Sequence, residues 1–175
     1  MTRATDVCPS IDSPQAWRAA ITERLPSLRA FAWSLCRNAA DADDLVQETL
    51  TKAWTHRDRF IDGTNLRAWL FTILRNSWYS TVAKRNREVP DEDGKLAGRL
   101  VCDGGQQASC ELADLRVALD DLPPEHREAI VLVGAAGLSY EEAAQVTGCA
   151  LGTIKSRVNR ARNRLAIILD VPRVH

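Results

Sequence analysis

The sequence predicts an all-helical protein built of two small domains, and three observations carry that expectation. Apolar residues recur at spacings of three and four along every patterned window, and no strand-like alternation stands out. Helix punctuation is dense: Ser13-Pro14, Asp41, Ser139 with Glu142 three residues on, and glycines at 137 and 148. Between residues 88 and 110 the periodicity lapses. Pro90, the acidic triplet Asp91-Glu92-Asp93 and four of the nine glycines fall there, the composition of a flexible tether.

Taken in order, residues 1–13 read as a loose tail and residues 14–87 as the first domain. Asp12-Ser13-Pro14 is a cap with proline at the first helical position, and the helix is expected to run to about Leu25. Pro26 should interrupt it, and Ser27 to Cys36 should resume it with Leu28, Phe31, Ala32 and Leu35 inward; Asn38 reads as the stop. Asp41 and Asp44 then open a helix with carboxylates at its positive end. Leu45, Leu50, Ala53 and Trp54 supply its buried side, and Asp43, Asp44, Gln47, Glu48 and Lys52 its polar sides. Local physics describes that as a capped, solvated helix; a docking surface is the alternative.

Asp58 to Asn65 is a glycine-containing loop without a period. The long helix from Leu66 to about Arg87 points Leu70, Ile73, Leu74, Ser77 and Val82 inward. It interleaves Trp69, Phe71, Trp78 and Tyr79 with Arg67, Arg75, Asn76, Lys84, Arg85 and Arg87. Aromatics among bases suit single-stranded nucleic acid. Trp69 and Phe71 read better as core, and Tyr79 and the basic end remain open between the two roles.

After the tether, residues 111–170 form the second domain. Leu112, Leu115, Ala118 and Leu119 mark one helix, which ends at Leu122-Pro123-Pro124. A second runs from Glu125 to Ala136 and closes at Gly137. Ser139 to Thr147 is a short helix with a capping box formed by Ser139 and Glu142, ending at Gly148. The last helix places Ile154, Val158, Ala161 and Leu165 on one face and Lys155, Arg157, Arg160, Arg162 and Arg164 on the others. No Asp or Glu lies between Glu142 and Asp170. A short helix, a glycine turn and an unopposed basic helix make a helix-turn-helix, whose second helix suits the DNA major groove.

Composition narrows the function classes. Net charge is zero, with 23 basic and 23 acidic residues, so only the distribution of charge points to nucleic acid. The five cysteines include no CxxC pair and are odd in number, which suggests neither a disulfide framework nor a zinc site. Cys36 and Cys149 read as small core residues, Cys102 and Cys110 as thiols on the tether. His56, His126 and His175 are scattered. No catalytic set, metal site or cofactor is expected, nor a signal peptide or membrane span, and the expected location is the cytoplasm.

Two stretches then carry a family resemblance. Asp41-Ala42-Asp43-Asp44-Leu45-Val46-Gln47-Glu48-Thr49-Leu50 resembles region 2 of bacterial sigma factors, and Gly152-Thr153-Ile154-Lys155-Ser156-Arg157-Val158-Asn159-Arg160-Ala161-Arg162 resembles region 4. Between them Asn65 to Asn76 looks like the promoter-melting helix. The chain has no room for regions 1.1 and 3, so it resembles a minimal extracytoplasmic-function sigma factor, nearest the general stress-response branch of alphaproteobacteria.

The resemblance implies core RNA polymerase and promoter DNA as partners. It also implies a small helical anti-sigma protein that is in turn sequestered by a response regulator carrying a sigma-like domain. Asp41, Asp44, Leu45, Gln47 and Glu48 would dock on polymerase, which reverses the preference for a merely solvated helix. Asn65, Arg67, Arg75, Asn76, Tyr79, Lys84, Arg85 and Arg87 would hold the −10 element as single strand, with a base flipped into the Asp58–Asn65 loop. Thr153, Lys155, Ser156, Arg157, Asn159, Arg160 and Arg162 would read the −35 duplex. Ala150 departs from the pattern, standing where many relatives cap this helix with Ser or Thr. Three alternatives compete: a sigma-like decoy, an ordinary helix-turn-helix regulator and an enzyme. The decoy would shed promoter-reading bases, and a receiver domain of about 120 residues would accompany it. The Asp44–Glu48 motif argues against the regulator.

Overall fold

A computed structural model describes residues 13–88 and 110–169. The tail and tether expected at 1–13 and 88–110 fall, apart from their boundary residues, outside the described part, as does Cys102. The first helix, α1 (Pro14–Cys36), starts as the sequence implies: the Ser13 hydroxyl accepts from the Ala16 N–H at 3.1 Å, and Pro14 takes the first turn. The break expected at Pro26 does not occur, and the helix is continuous. Pro26 and Thr22, whose carbonyl loses its helical donor, both lie on the exposed face, so the missing bond does not leave a buried carbonyl. The opposite face buries Trp17, Ile21, Leu28 and Phe31 on both sides of the proline, and that packing holds the helix together.

Asn38 also has a different role from the one expected. Arg37 ends α1 in a left-handed conformation (φ 57°), and Asn38 starts the next helix, α2 (Ala39–Thr55). The Asn38 side chain accepts from the Ala40 and Asp41 N–H groups at 2.8 and 3.2 Å. Ala42, Leu45, Val46, Thr49 and Ala53 are the buried face of α2. Trp54, expected inward, is 43% exposed: it sits one residue, about 100° of helix, beyond Ala53 and carries the Arg57 guanidinium 5.6 Å from its ring centroid.

A single 3₁₀ turn (Arg57–Arg59) and a loop lead to α3 (Leu66–Glu88). The Asn65 side chain accepts from the Ala68 N–H at 3.1 Å and so caps its start. Leu66, Leu70, Phe71, Leu74 and Ser77 are buried, Trp69 and Val82 half-buried. Phe71 packs on Phe31 (5.2 Å between centroids), and Trp69 joins Trp17 and Phe60 in an aromatic cluster with centroids 5.5–5.9 Å apart.

The second half comprises α4 (Cys110–Asp120), α5 (Pro124–Gly134), α6 (Tyr140–Thr147) and α7 (Leu151–Ile168). Gly137 (φ 71°) and Gly148 (φ 69°) hold the left-handed positions that turn α5 into α6 and α6 into α7. Both halves of the capping box form: Glu142 N–H donates to the Ser139 hydroxyl at 3.1 Å, and Ser139 N–H to the Glu142 carboxylate at 2.6 Å. Leu132, Leu138, Val146, Ile154 and Val158 are buried between these helices.

The two halves pack together. α3 lies on α6 and α1 on α5, and the buried apolar residues of both halves form one contiguous cluster. Among the described residues no helix is long and apolar enough to cross a membrane.

Candidate polymerase and nucleic-acid interfaces

Asp44, Gln47 and Glu48 sit at helical spacing on the exposed side of α2, with Asp41 half-buried one turn earlier. Lys52 bridges back to Glu48 at 2.5 Å and donates to the Ser77 hydroxyl of α3 at 2.9 Å, which ties this acidic face to the neighbouring helix. Leu45 differs from the other four: at 5% exposure its side chain points into the core, so it supports the face from beneath.

The loop after α2 borders a cleft of about 300 Å³ lined by Trp17, Arg57, Asp58, Phe60 and Asp62. Along α3 the expected strand-binding residues divide into two groups. Asn76, Lys84, Arg85 and Arg87 are exposed. Asn65, Arg67, Arg75 and Tyr79 instead meet the second half of the chain. Asn65 donates to the Glu142 carboxylate, and Arg67 to the Gly137 carbonyl at 3.2 Å. The Arg75 Nε donates to Glu128 Oε1 at 2.6 Å, and the Tyr79 hydroxyl lies 3.5 Å from the other Glu128 oxygen. Arg75 also stacks 4.6 Å from the Tyr79 ring centroid. Burial first, and then the Glu128 carboxylate, push the Tyr79 phenol pKa up.

On α7 the expected duplex-reading residues Thr153, Lys155, Asn159, Arg160 and Arg162 are exposed, and Ser156 and Arg157 half-buried. Arg157 is held against the turn, with its NH1 donating to the Cys149 sulfur at 3.2 Å. Arg164 grips Asp121 through two bonds of 2.6 and 3.0 Å. Ala150 precedes the helix in extended conformation without a side-chain cap, as the sequence implied.

Sequence reasoning missed the residues that join the halves. Glu128 is 2% exposed on the apolar face of α5, and a carboxylate at that register was a signal that a partner existed. Arg37 and Asp120 left no such sign. Arg37 donates to the Asp120 carboxylate at 2.8 Å and to its carbonyl at 2.6 Å, and Arg127 approaches the same carboxylate at 3.4 Å. Burial, then the nearby Arg37 charge, lower the Arg127 pKa against the pull of Asp120.

Sigma-70 region 2 matches residues 20–88 and sigma-70 region 4 matches residues 112–165, in that order. The chain is 58% identical over 151 residues to the ECF RNA polymerase sigma factor EcfG of Rhodopseudomonas palustris, covering 86% of this chain and 83% of that one. This chain belongs to the extracytoplasmic-function sigma factors of the sigma-70 family. The sigma factor also matches RpoE of Bartonella quintana, solved with the anti-sigma factor NepR, at 52% identity and a TM-score of 0.80 over 91% of this chain and 99% of that one. The anti-anti-sigma factor PhyR from the same organism, solved with NepR, shares the fold at 16% identity and a TM-score of 0.52. That match covers 86% of this sigma factor and 49% of PhyR.

Proposed function

We propose that this sigma factor docks on core RNA polymerase through the exposed Asp44, Gln47 and Glu48, with Asp41 and the buried Leu45 shaping that face. It directs initiation at stress-response promoters and has no catalytic residues of its own. Residues 14–87 act as the polymerase- and −10-binding domain and residues 111–170 as the −35-binding domain. Asn65, Arg67, Arg75, Asn76 and Tyr79 take the unpaired −10 strand, and Lys84, Arg85 and Arg87 its phosphates. Thr153, Lys155, Ser156, Arg157, Asn159, Arg160 and Arg162 take the −35 duplex. The protein works in the cytoplasm, where a small helical anti-sigma protein holds it and a response regulator with a sigma-like domain draws that protein away. One observation carries the reading: a single chain pairs an exposed acidic face on α2 with a basic α7 that bears no carboxylate.

The test is run-off transcription with purified core polymerase on a promoter library, comparing wild type with Asp44→Lys. Asp44 is exposed, so the variant should fold normally. Loss of core binding with unchanged melting supports the reading; a wild type that never binds core overturns it.

A further inference from the structure

Trp54 is the one tryptophan that this sigma factor leaves in solvent. All five lie among the described residues: Trp17 is buried, and Trp33, Trp69 and Trp78 are half-buried. An exposed tryptophan forgoes one of the largest apolar burials a side chain can make. Its register shows where it is aimed. Asp44, Gln47, Thr51 and Trp54 follow one another at helical spacing, and all four are exposed. Trp54 lies two turns after Gln47 and only about 20° around the helix from it. The four residues make one stripe about 15 Å long on α2. The stripe is acidic at its start, where Glu48 lies beside it, and apolar at its end. Thr51 donates its hydroxyl to the Gln47 carbonyl at 2.9 Å, so little polarity remains next to the ring.

The ring is held ready for a partner. The helix carries it to its last turn, which the His56 N–H closes on the Lys52 carbonyl at 2.9 Å. The Arg57 guanidinium sits over the ring, 5.6 Å from its centroid, and restricts its rotamers. Docking a side chain already restricted costs less conformational entropy. The surrounding charge selects the kind of partner. Asp44 has no ion pair among the described residues, and Glu48 and Asp58 add two more carboxylates along this side. A phosphate backbone laid on the stripe would meet them. A protein surface with an apolar recess flanked by bases fits both ends of it.

We infer that Trp54 is the aromatic anchor of the polymerase contact: its ring fills an apolar recess of core polymerase while Asp44, Gln47 and Glu48 meet polar and basic groups around it. This rests on the reading of α2 as the docking face, and it extends that face along the helix toward the Asp58–Asn65 loop. The two ends of the stripe then have different work. Buried aromatic anchors hold a complex together, whereas charges at the rim guide its approach.

The test measures association and dissociation of the full-length chain on immobilised core polymerase by biolayer interferometry. Trp54→Ala should weaken binding by about thirtyfold or more, through faster dissociation. Its melting temperature should not fall, because the ring is exposed. Trp54→Phe keeps most of the ring area and should lose less. Asp44→Lys should act more on the association rate. Val117→Ala, an exposed apolar position on α4, should change neither rate. In run-off transcription at saturating sigma factor Trp54→Ala should match wild type, because its defect is one of affinity. Thr51→Arg blocks the same recess from an exposed position and decides the matter should Trp54→Ala melt early.

If Trp54→Ala and Thr51→Arg hold core as tightly as wild type while Asp44→Lys does not, the anchor fails and the docking face stands. If none of the three weakens core binding, the docking face falls and the anchor with it. A Trp54→Ala defect that persists at saturation assigns the ring to a later step on DNA and overturns the inference. A free wild type that sediments as a dimer, which Trp54→Ala dissolves without loss of core binding, assigns the ring to a second copy and overturns it too.

Discussion

Replacing Ala150 with serine should stabilise the recognition helix by about 0.5–1 kcal/mol. Ala150 is exposed and already extended (φ −64°, ψ 146°), the backbone a capping residue needs, but its methyl group accepts no hydrogen bond. The Thr153 N–H has turned back onto the Ala150 carbonyl at 2.9 Å, which it shares with Ile154 at 3.2 Å. A serine hydroxyl would therefore chiefly satisfy the Gly152 N–H, which places the gain in the lower part of the usual ~0.5–2 kcal/mol range. At about 2–4 °C per kcal/mol for a chain of this size, the melting temperature should rise by about 1–4 °C. Ala150→Asp should stabilise at least as well, since a carboxylate complements the helix dipole by a further ~0.3–1 kcal/mol. The two variants should part on DNA, because a carboxylate at that end repels a phosphate where a hydroxyl does not. The assay is thermal unfolding by circular dichroism, followed by holoenzyme binding to a promoter recovered from the run-off library. An unchanged or lower melting temperature for Ala150→Ser would refute the capping argument. Undiminished promoter binding by Ala150→Asp would refute the placement of a phosphate at this helix end.

Arg157→Ala should weaken holoenzyme binding to promoters; a uniform loss across sequences with a salt slope reduced by about 0.9 assigns the side chain to phosphate, and a loss confined to certain −35 sequences assigns it to a base. Burial, reinforced by Asp41 and opposed by Arg85, pushes the Cys36 thiol pKa up from its ordinary value of 9.0 to about 12. The folded pKa is raised, so the stability linked to this thiol is intact below pH 9 and falls as pH climbs toward 12. Denaturant titrations at pH 8 and pH 10.5 should show wild type losing stability relative to Cys36→Ala; an unchanged difference would contradict the assignment.

Much of the fold was legible because its signals are local. The Ser139–Glu142 capping box, the left-handed glycines 137 and 148 and the apolar stripe Ile154–Val158–Ala161 are set by residues within a few positions of one another. The misreadings came where a non-local term outweighed a local one. Pro26 is carried inside α1 by the face packed on both sides of it. Arg37 adopts the left-handed cap expected further on, at Asn38, in a position where its side chain reaches Asp120, 83 residues away in sequence. Trp54 lies just past the edge of the buried stripe of α2, a rotation that spacing alone resolves poorly.

The same division runs through the functional surfaces. The sequence by itself determined the family, the order of the two regions, the acidic face on α2 and the basic face on α7. Each of these depends on residue types at helical spacing, and spacing is written in the chain. Only the tertiary structure decided that Leu45 supports its surface from the core, and that Arg75 and the hydroxyl of the still exposed Tyr79 meet Glu128. Those contacts join residues 49 and 53 positions apart across the tether, and no local period records which face of one domain will meet the other.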